Sequence, residues 1–217
     1  MSEPAPRPVI TYYFSFISLW SYVGSRAFQA LAQRHTAEID YRPVNLLEVF
    51  AAGGGKPVKE RPLQRQAYRL VEMQRWRIIR DIPLVFHPKF YPADPSLAHR
   101  VLLGALDEGA DVAGYVHAGL SAVWADELDI ADPDTIVRLA NASGLDGLRL
   151  LEGASAPDLL TREASLTHEA ISRQLFGAPF YFYREEPFWG QDRLDLLDAA
   201  ISEGCEPIPL PNLSVPA

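Results

Sequence analysis

A single cysteine, Cys205, stands near the end of this 217-residue chain. It excludes an intramolecular disulfide framework, a CxxC redox pair and a cysteine zinc cluster, and it implies a reducing compartment. No uninterrupted apolar run is long enough for a membrane helix, and the opening "MSEPAPRPV" lacks the basic and apolar regions of a signal peptide. The reading is a cytoplasmic protein with no membrane partner. Basic residues are outnumbered, 20 Lys and Arg against 28 Asp and Glu, for a formal net charge of −8. Nucleic acid is therefore not the expected partner, because phosphate binding needs a basic face that releases counterions. The five histidines fall at no metal-ligand spacing, and no metal site is expected. Among them His168, on a stripe with Ala164, Ile171 and Leu175, reads as a packed helix residue.

What is present points to a globular fold, with 48% hydrophobic and 22% charged residues. Val9 to Phe16, "VITYYFSF", is β-branched and aromatic without an internal Gly or Pro, which predicts a central strand. Trp20, Val23, Ala27, Phe28 and Leu31 then recur at helical spacing, with Gly24 positioned to let a neighbouring backbone come close. A second strand is predicted over Ile39 to Val44, so the chain opens as a βαβ unit with parallel pairing. "AAGGGKP", Ala51 to Pro57, reads as a loop, and Pro62 to Arg80 as a helix. Further helices are predicted over Ser96 to Leu106, Val112 to Trp124, Pro133 to Asn141 and Pro157 to Leu175. Strand character returns only at Phe180 to Tyr183 and around Phe188, before a last amphipathic helix, Gln191 to Ile201.

The fold class is thus α/β: a thioredoxin-like βαβ…ββα sheet with a large all-helical insertion. Residues 1–8 are expected to be a disordered N-terminus and 9–50 with 176–203 the thioredoxin-like part. The helical insertion spans 51–175, and 204–217 forms an extended Pro-rich tail. Between Lys56 and Arg80 lie Lys56, Lys59, Arg61, Arg65, Arg69, Arg75, Arg77 and Arg80 against only Glu60 and Glu72. Such a run is either a solvated helix face or a site for small carboxylates.

Four stretches, "YYFSFISLWSYVGS", "YRLVEMQRW", "FGAPFYF" and "FWGQDRLDLLDAAI", occur in this order. Together they resemble the 2-hydroxychromene-2-carboxylate isomerases, glutathione-dependent enzymes of the kappa-class glutathione transferase and DsbA-like thioredoxin superfamily. The likeness runs from Val9 to about Ile201. It implies glutathione as cofactor and a small aromatic carboxylate as substrate, an unsaturated 2-oxo acid or its chromene form, and it leaves a homodimer open. By the resemblance, Ser18 replaces the nucleophilic cysteine of thioredoxins and faces the thiol of glutathione. A hydroxyl donor and helix N-terminal amides both favour a thiolate. Ser21 is the alternative, and either serine also suits an ordinary N-cap.

The resemblance further implies that Ala178, before Pro179, exchanges backbone hydrogen bonds with the cysteinyl part of the tripeptide, while Gln191 and Asp192 hold its γ-glutamyl end. Asp192 is equally suited to capping the last helix, with Arg193 paired on the surface. Lys56, Arg65 or Arg75 would hold a carboxylate, and Trp20 or Trp76, with Phe16, would wall an aromatic pocket. Four departures from the family pattern concern the substrate: Ser15 stands where Asp is usual, Leu19 where Pro is usual, Asp94 where Asn is frequent, and "AAGGGKPVKE" lacks an Asn. The other readings the sequence allows are a kappa-like glutathione transferase and a non-catalytic thioredoxin-like module that captures a peptide.

Overall fold

The aromatic segment predicted as a central strand forms the middle of a four-stranded sheet in the computed structural model, which describes residues 7–211. The expected disordered N-terminus falls mostly on residues 1–6, outside the described residues, as does the tail beyond 211. Residues 204–211 carry no helix or strand. Strand β1, Val9–Phe14, pairs in parallel with β2, Glu38–Pro43, and antiparallel with β3, Phe180–Tyr183. Strand β4, Glu186–Trp189, extends the hairpin, so the order is β2-β1-β3-β4. Helix α1, Leu19–Arg34, makes the crossover between β1 and β2.

Seven helices lie between β2 and β3 among the described residues: α2 (Leu46–Ala52), α3 (Leu63–Arg80), α4 (Ser96–Asp107), α5 (Ala113–Trp124), α6 (Pro133–Ala142), α7 (Gly147–Gly153) and α8 (Pro157–Ser172). Helix α9, Leu194–Glu203, closes the chain after a 3-10 turn at Gln191–Arg193. Five helical stretches of this block match the sequence expectation. Helices α2 and α7, of seven residues each, do not appear in it, because their signal is a cap rather than a periodic stripe. Asn45 accepts from the Leu47 and Glu48 N–H groups, and Asp146 from that of Arg149. The first strand ends two residues early: Ser15 and Phe16 form the turn into α1.

The core is aromatic on the sheet side. Tyr12 stacks on Tyr181 at 5.2 Å between ring centroids, and Phe28 of α1 packs against both, at 4.8 and 4.6 Å. Each such side chain contributes on the order of 1.5–3 kcal/mol by leaving water. Val116, Leu120 and Val123 are buried along one stripe of α5, continuing Val112 just before it. One expectation is corrected here: His168 is exposed. The buried residues of α8 are Leu159, Glu163, Thr167 and Ala170, so the helix is rotated away from the stripe that the apolar residues alone suggest. Glu163 and Thr167 are buried because they hydrogen-bond inward, which periodicity of apolar residues does not register.

Two local contacts yield measurable consequences. A Cβ on Gly24 would stand 2.5 Å from Gln191 Cβ, so α1 and the 3-10 turn meet backbone to backbone there. Gly24→Ala is expected to lower unfolding free energy by about 1–3 kcal/mol in urea titration, through overpacking. His117 of α5 bridges to α1: Nδ1 lies 2.7 Å from Ser25 Oγ, and Arg26 Nε donates to Nε2 at 3.1 Å. An imidazole that accepts at Nε2 is neutral, and burial, then the Arg26 charge, hold its pKa below the ordinary 6.5, against a smaller opposing pull from Asp126. The unfolded chain therefore binds a proton first as pH falls, and stability contributed by neutral His117 is lost from about pH 7 downward through 6.5. His117→Gln should flatten that part of the stability–pH curve.

Candidate active site

The turn after β1 presents the first site residue. Ser18 is the N-cap of α1; its Oγ accepts from the Ser21 N–H at 3.2 Å and donates to the Ala178 carbonyl at 3.1 Å. The Ser18 N–H donates to the Ser15 carbonyl at 2.8 Å, closing the turn. Beneath it runs a buried polar chain that sequence reasoning missed. Ser15 Oγ lies 3.4 Å from His99 Nε2, and His99 Nδ1 lies 3.0 Å from Glu163 Oε1. Arg100 Nη1 donates to the other oxygen of Glu163 at 3.2 Å. Burial pushes the Glu163 carboxyl up, but the hydrogen bond and charge of His99, with Arg100, outweigh it and leave the pKa lowered. The chain ties the turn to α4 and α8. Its one trace in the sequence is Ser15, at a position where the resembled family has an acid.

Facing Ser18 is the loop into β3. Ala178-Pro179 is a cis peptide, the conformation that only X-Pro bonds adopt at small cost. The Pro179 carbonyl accepts from the Gly190 N–H at 2.9 Å, so this loop carries the turn after β4. Gly190 has φ +94°, a backbone that glycine tolerates, and the 3-10 turn Gln191–Arg193 follows. Gln191 is 2% exposed. Its Oε1 accepts from Arg80 at 2.9 and 3.2 Å, and its carbonyl accepts from Arg80 at 3.3 Å. Arg80 itself stacks over Trp76 at 5.1 Å. Asp192 is not a side-chain cap of α9; it pairs with Arg193.

These elements enclose a cleft of about 230 Å³. Ala178, Gln191, Asp192, Trp20 and Trp76, all expected at the site from the sequence, line it, and so do Phe50, Arg61, Glu72, Trp189 and Arg193, which were not assigned to it. Ser18, 3% exposed, is not itself among the lining residues; its hydroxyl meets the cleft through the Ala178 carbonyl. Pro179 and Phe16 are buried and do not line it. Lys56, Arg65 and Arg75 are exposed and do not line the cleft. The basic segment divides by helix face. Arg69 lies over Trp20 and Trp124, Arg80 holds Gln191, and Arg61 lies over Phe50, while Arg65 and Arg75 point to solvent. The cleft thus carries both signs of charge. Burial first, then the nearby Asp192 charge, raise the Glu72 carboxyl, against a smaller pull from Arg69.

No group of three or more metal-ligating side chains occurs among the described residues, and no helix there is long and apolar enough to cross a membrane.

Residues 9–202 match the DsbA-like thioredoxin domain. The chain is 31% identical over 201 residues to a 2-hydroxychromene-2-carboxylate isomerase of Pseudomonas putida, covering 91% of this chain and 96% of that one. It is 30% identical over 192 residues to the protein of the same name from Sphingobium xenophagum, covering 88% and 96%. Among solved structures, a 2-hydroxychromene-2-carboxylate isomerase superposes with a TM-score of 0.76 at 30% identity, over 91% of this chain and 96% of that one. Matches of this extent establish that the chain belongs to the 2-hydroxychromene-2-carboxylate isomerase family of DsbA-like thioredoxin domains.

Proposed function

We propose that this protein is a glutathione-dependent isomerase acting on an aromatic unsaturated 2-oxo acid of the 2-hydroxychromene-2-carboxylate type. The observation that carries the reading is the meeting of Ser18 with Ala178-Pro179 beside a cleft closed by the Gln191 turn. Relatives at about 30% identity named as isomerases support the reaction class.

The residues of the cleft fit glutathione, a zwitterionic tripeptide. Carboxylates of Glu72 and Asp192 stand with the cation Arg193, and the backbone of Gly177 and Ala178, which lines the cleft, offers groups for an extended peptide. Ala178 would hold its middle residue, and the Gln191–Arg193 turn its γ-glutamyl end. When bound, glutathione supplies a thiol nucleophile that adds reversibly to a conjugated double bond.

Ser18 governs the proton at this site. Its hydroxyl is held by the Ser21 N–H and spends its hydrogen on the Ala178 carbonyl. A ligand N–H that takes over that carbonyl leaves the Ser18 hydrogen available to an anion in the cleft, next to the unpaired N–H groups of α1. Serine cannot form the disulfide that cysteine would at this position, so the site favours addition and elimination over thiol–disulfide exchange. Trp20 and Trp76 exclude water from the aromatic side of the cleft.

Ser18→Ala is expected to raise the thiol pKa of bound glutathione and slow turnover roughly ten- to a hundredfold, because a hydrogen bond to a charged acceptor is worth about 1.5–3 kcal/mol. Loss of the cap should cost about 1 kcal/mol of stability besides. Identical thiolate absorbance titrations in the two proteins would remove this role. The reaction class is tested with catalytic glutathione and a hydroxybenzylidenepyruvate or chromene carboxylate, following both isomers and the free thiol. The isomerase gives many turnovers per glutathione, whereas thiol loss in proportion to product would assign a transferase.

A further inference from the structure

The arginines in and around the cleft are unequally partnered. Arg193 has Asp192, and Arg80 has Gln191. Arg69 lies between Trp20 and Trp124 and donates to Met73 Sδ at 3.3 Å. Arg61 lines the cleft, as Arg69 and Arg80 do not, and unlike Arg193 it has no carboxylate within ion-pair distance among the described residues; it is half-buried. Its Nε donates to the Lys56 carbonyl at 2.8 Å, which fixes the guanidinium and leaves both terminal nitrogens unspent. Its Cζ stands 5.4 Å from the centre of the Phe50 ring, so one side is against an aromatic side chain. Burial, then the charge of Arg65, lower its pKa; a bound anion would oppose both by favouring the charged form.

A guanidinium with two free nitrogens in a partly dry cleft suits a carboxylate, which it can engage bidentately. Phe50, Trp20, Trp76 and Trp189 line the same cleft, and Trp189 keeps 51% of its surface exposed. Apolar aromatic walls with one fixed polar group are the recognition chemistry of an aromatic acid. We propose that Arg61, backed by Phe50, holds the carboxylate of the aromatic acid substrate and sets the preference of this site for it. The inference rests on the reading of the cleft given above, and it moves the carboxylate contact from the outer residues Lys56, Arg65 and Arg75 to the inner face. Glutathione also carries a carboxylate. The aromatic surroundings of Arg61 favour the aromatic acid, and the two sources separate by experiment.

Calorimetry with trans-cinnamate, its uncharged amide and glutathione, on the wild type, Arg61→Gln, Arg61→Lys and Arg65→Gln, tests the assignment. Arg61→Gln should weaken cinnamate binding about tenfold or more, as expected for one lost charge-assisted contact. Arg61→Lys should weaken it less, Arg65→Gln should match the wild type, and the amide should bind all four alike. Glutathione affinity should stay within about twofold throughout. The inference is overturned if cinnamate does not bind the wild type at millimolar concentration or is indifferent to Arg61→Gln. It is equally overturned if Arg65→Gln shows the loss, or if Arg61→Gln weakens glutathione in place of cinnamate, which would give this contact to the tripeptide. Absent glutathione binding with cinnamate still dependent on Arg61 would remove the glutathione reading and leave this one standing. Near-ultraviolet circular dichroism of each variant, together with the charge-retaining Arg61→Lys, separates a lost contact from a lost fold.

Discussion

The hydrogen bond from the Ser18 hydroxyl to the Ala178 carbonyl joins two turns 160 residues apart in sequence. It spans the gap that the helical insertion opens in the chain. Ser18 is at the start of α1, directly after β1, and Ala178 is at the entrance to β3, which pairs with β1. Once the two strands are in register, the helix N-terminus and the cis-proline loop have nowhere else to meet. The cleft follows from this meeting, because the Pro179 carbonyl carries Gly190 and so delivers the Gln191 turn to the same edge.

Close packing around that edge makes the site rigid. Gly24 allows Gln191 to lie directly on α1, while Arg80 of α3 fills its remaining acceptors and stacks over Trp76. Below the turn, Ser15, His99 and Glu163 form a polar chain in which every buried member has a partner. A satisfied buried network of this kind specifies geometry, since a partly paired one would cost more than an apolar core. The helical insertion is therefore part of the site's scaffold: α3 holds Gln191, and α4 and α8 hold the turn that presents Ser18.

Charge separation on α3 and the loop before it explains how an acidic protein offers cations to a ligand. The segment from Lys56 to Arg80 is mostly basic, and Arg61, Arg69 and Arg80 are turned towards aromatic side chains or Gln191 at the cleft, while Arg77 lies over Phe86. Each of the first three has its charge held against the face of Phe50, Trp20 or Trp76, an arrangement worth on the order of 0.5–2 kcal/mol. Arg65 and Arg75, although in the same segment, face solvent, where salt screens them.

Local patterns in the sequence carry much of this protein. The aromatic β-branched run marks β1, length and residue types mark five of the helices in the insertion, and the ordered motifs point to the sheet topology, to Ser18 and to the proline loop. These are legible because strand and helix periodicity depend on neighbours a few residues away. The short helices α2 and α7 escape, since their formation rests on single caps, and so does the outward position of His168, since α8 buries Glu163 and Thr167 through hydrogen bonds made to distant elements. Which arginines face the cleft, that Arg80 spends itself on Gln191, and that Ser18 reaches the cleft only through Ala178 are decided by tertiary structure alone. The sequence by itself determined the residue types at the site; long-range packing chose which of the like charges were placed beside an aromatic ring and which were left in water, because the partners that make that choice, Phe50, Trp20 and Gln191, come from other segments of the chain.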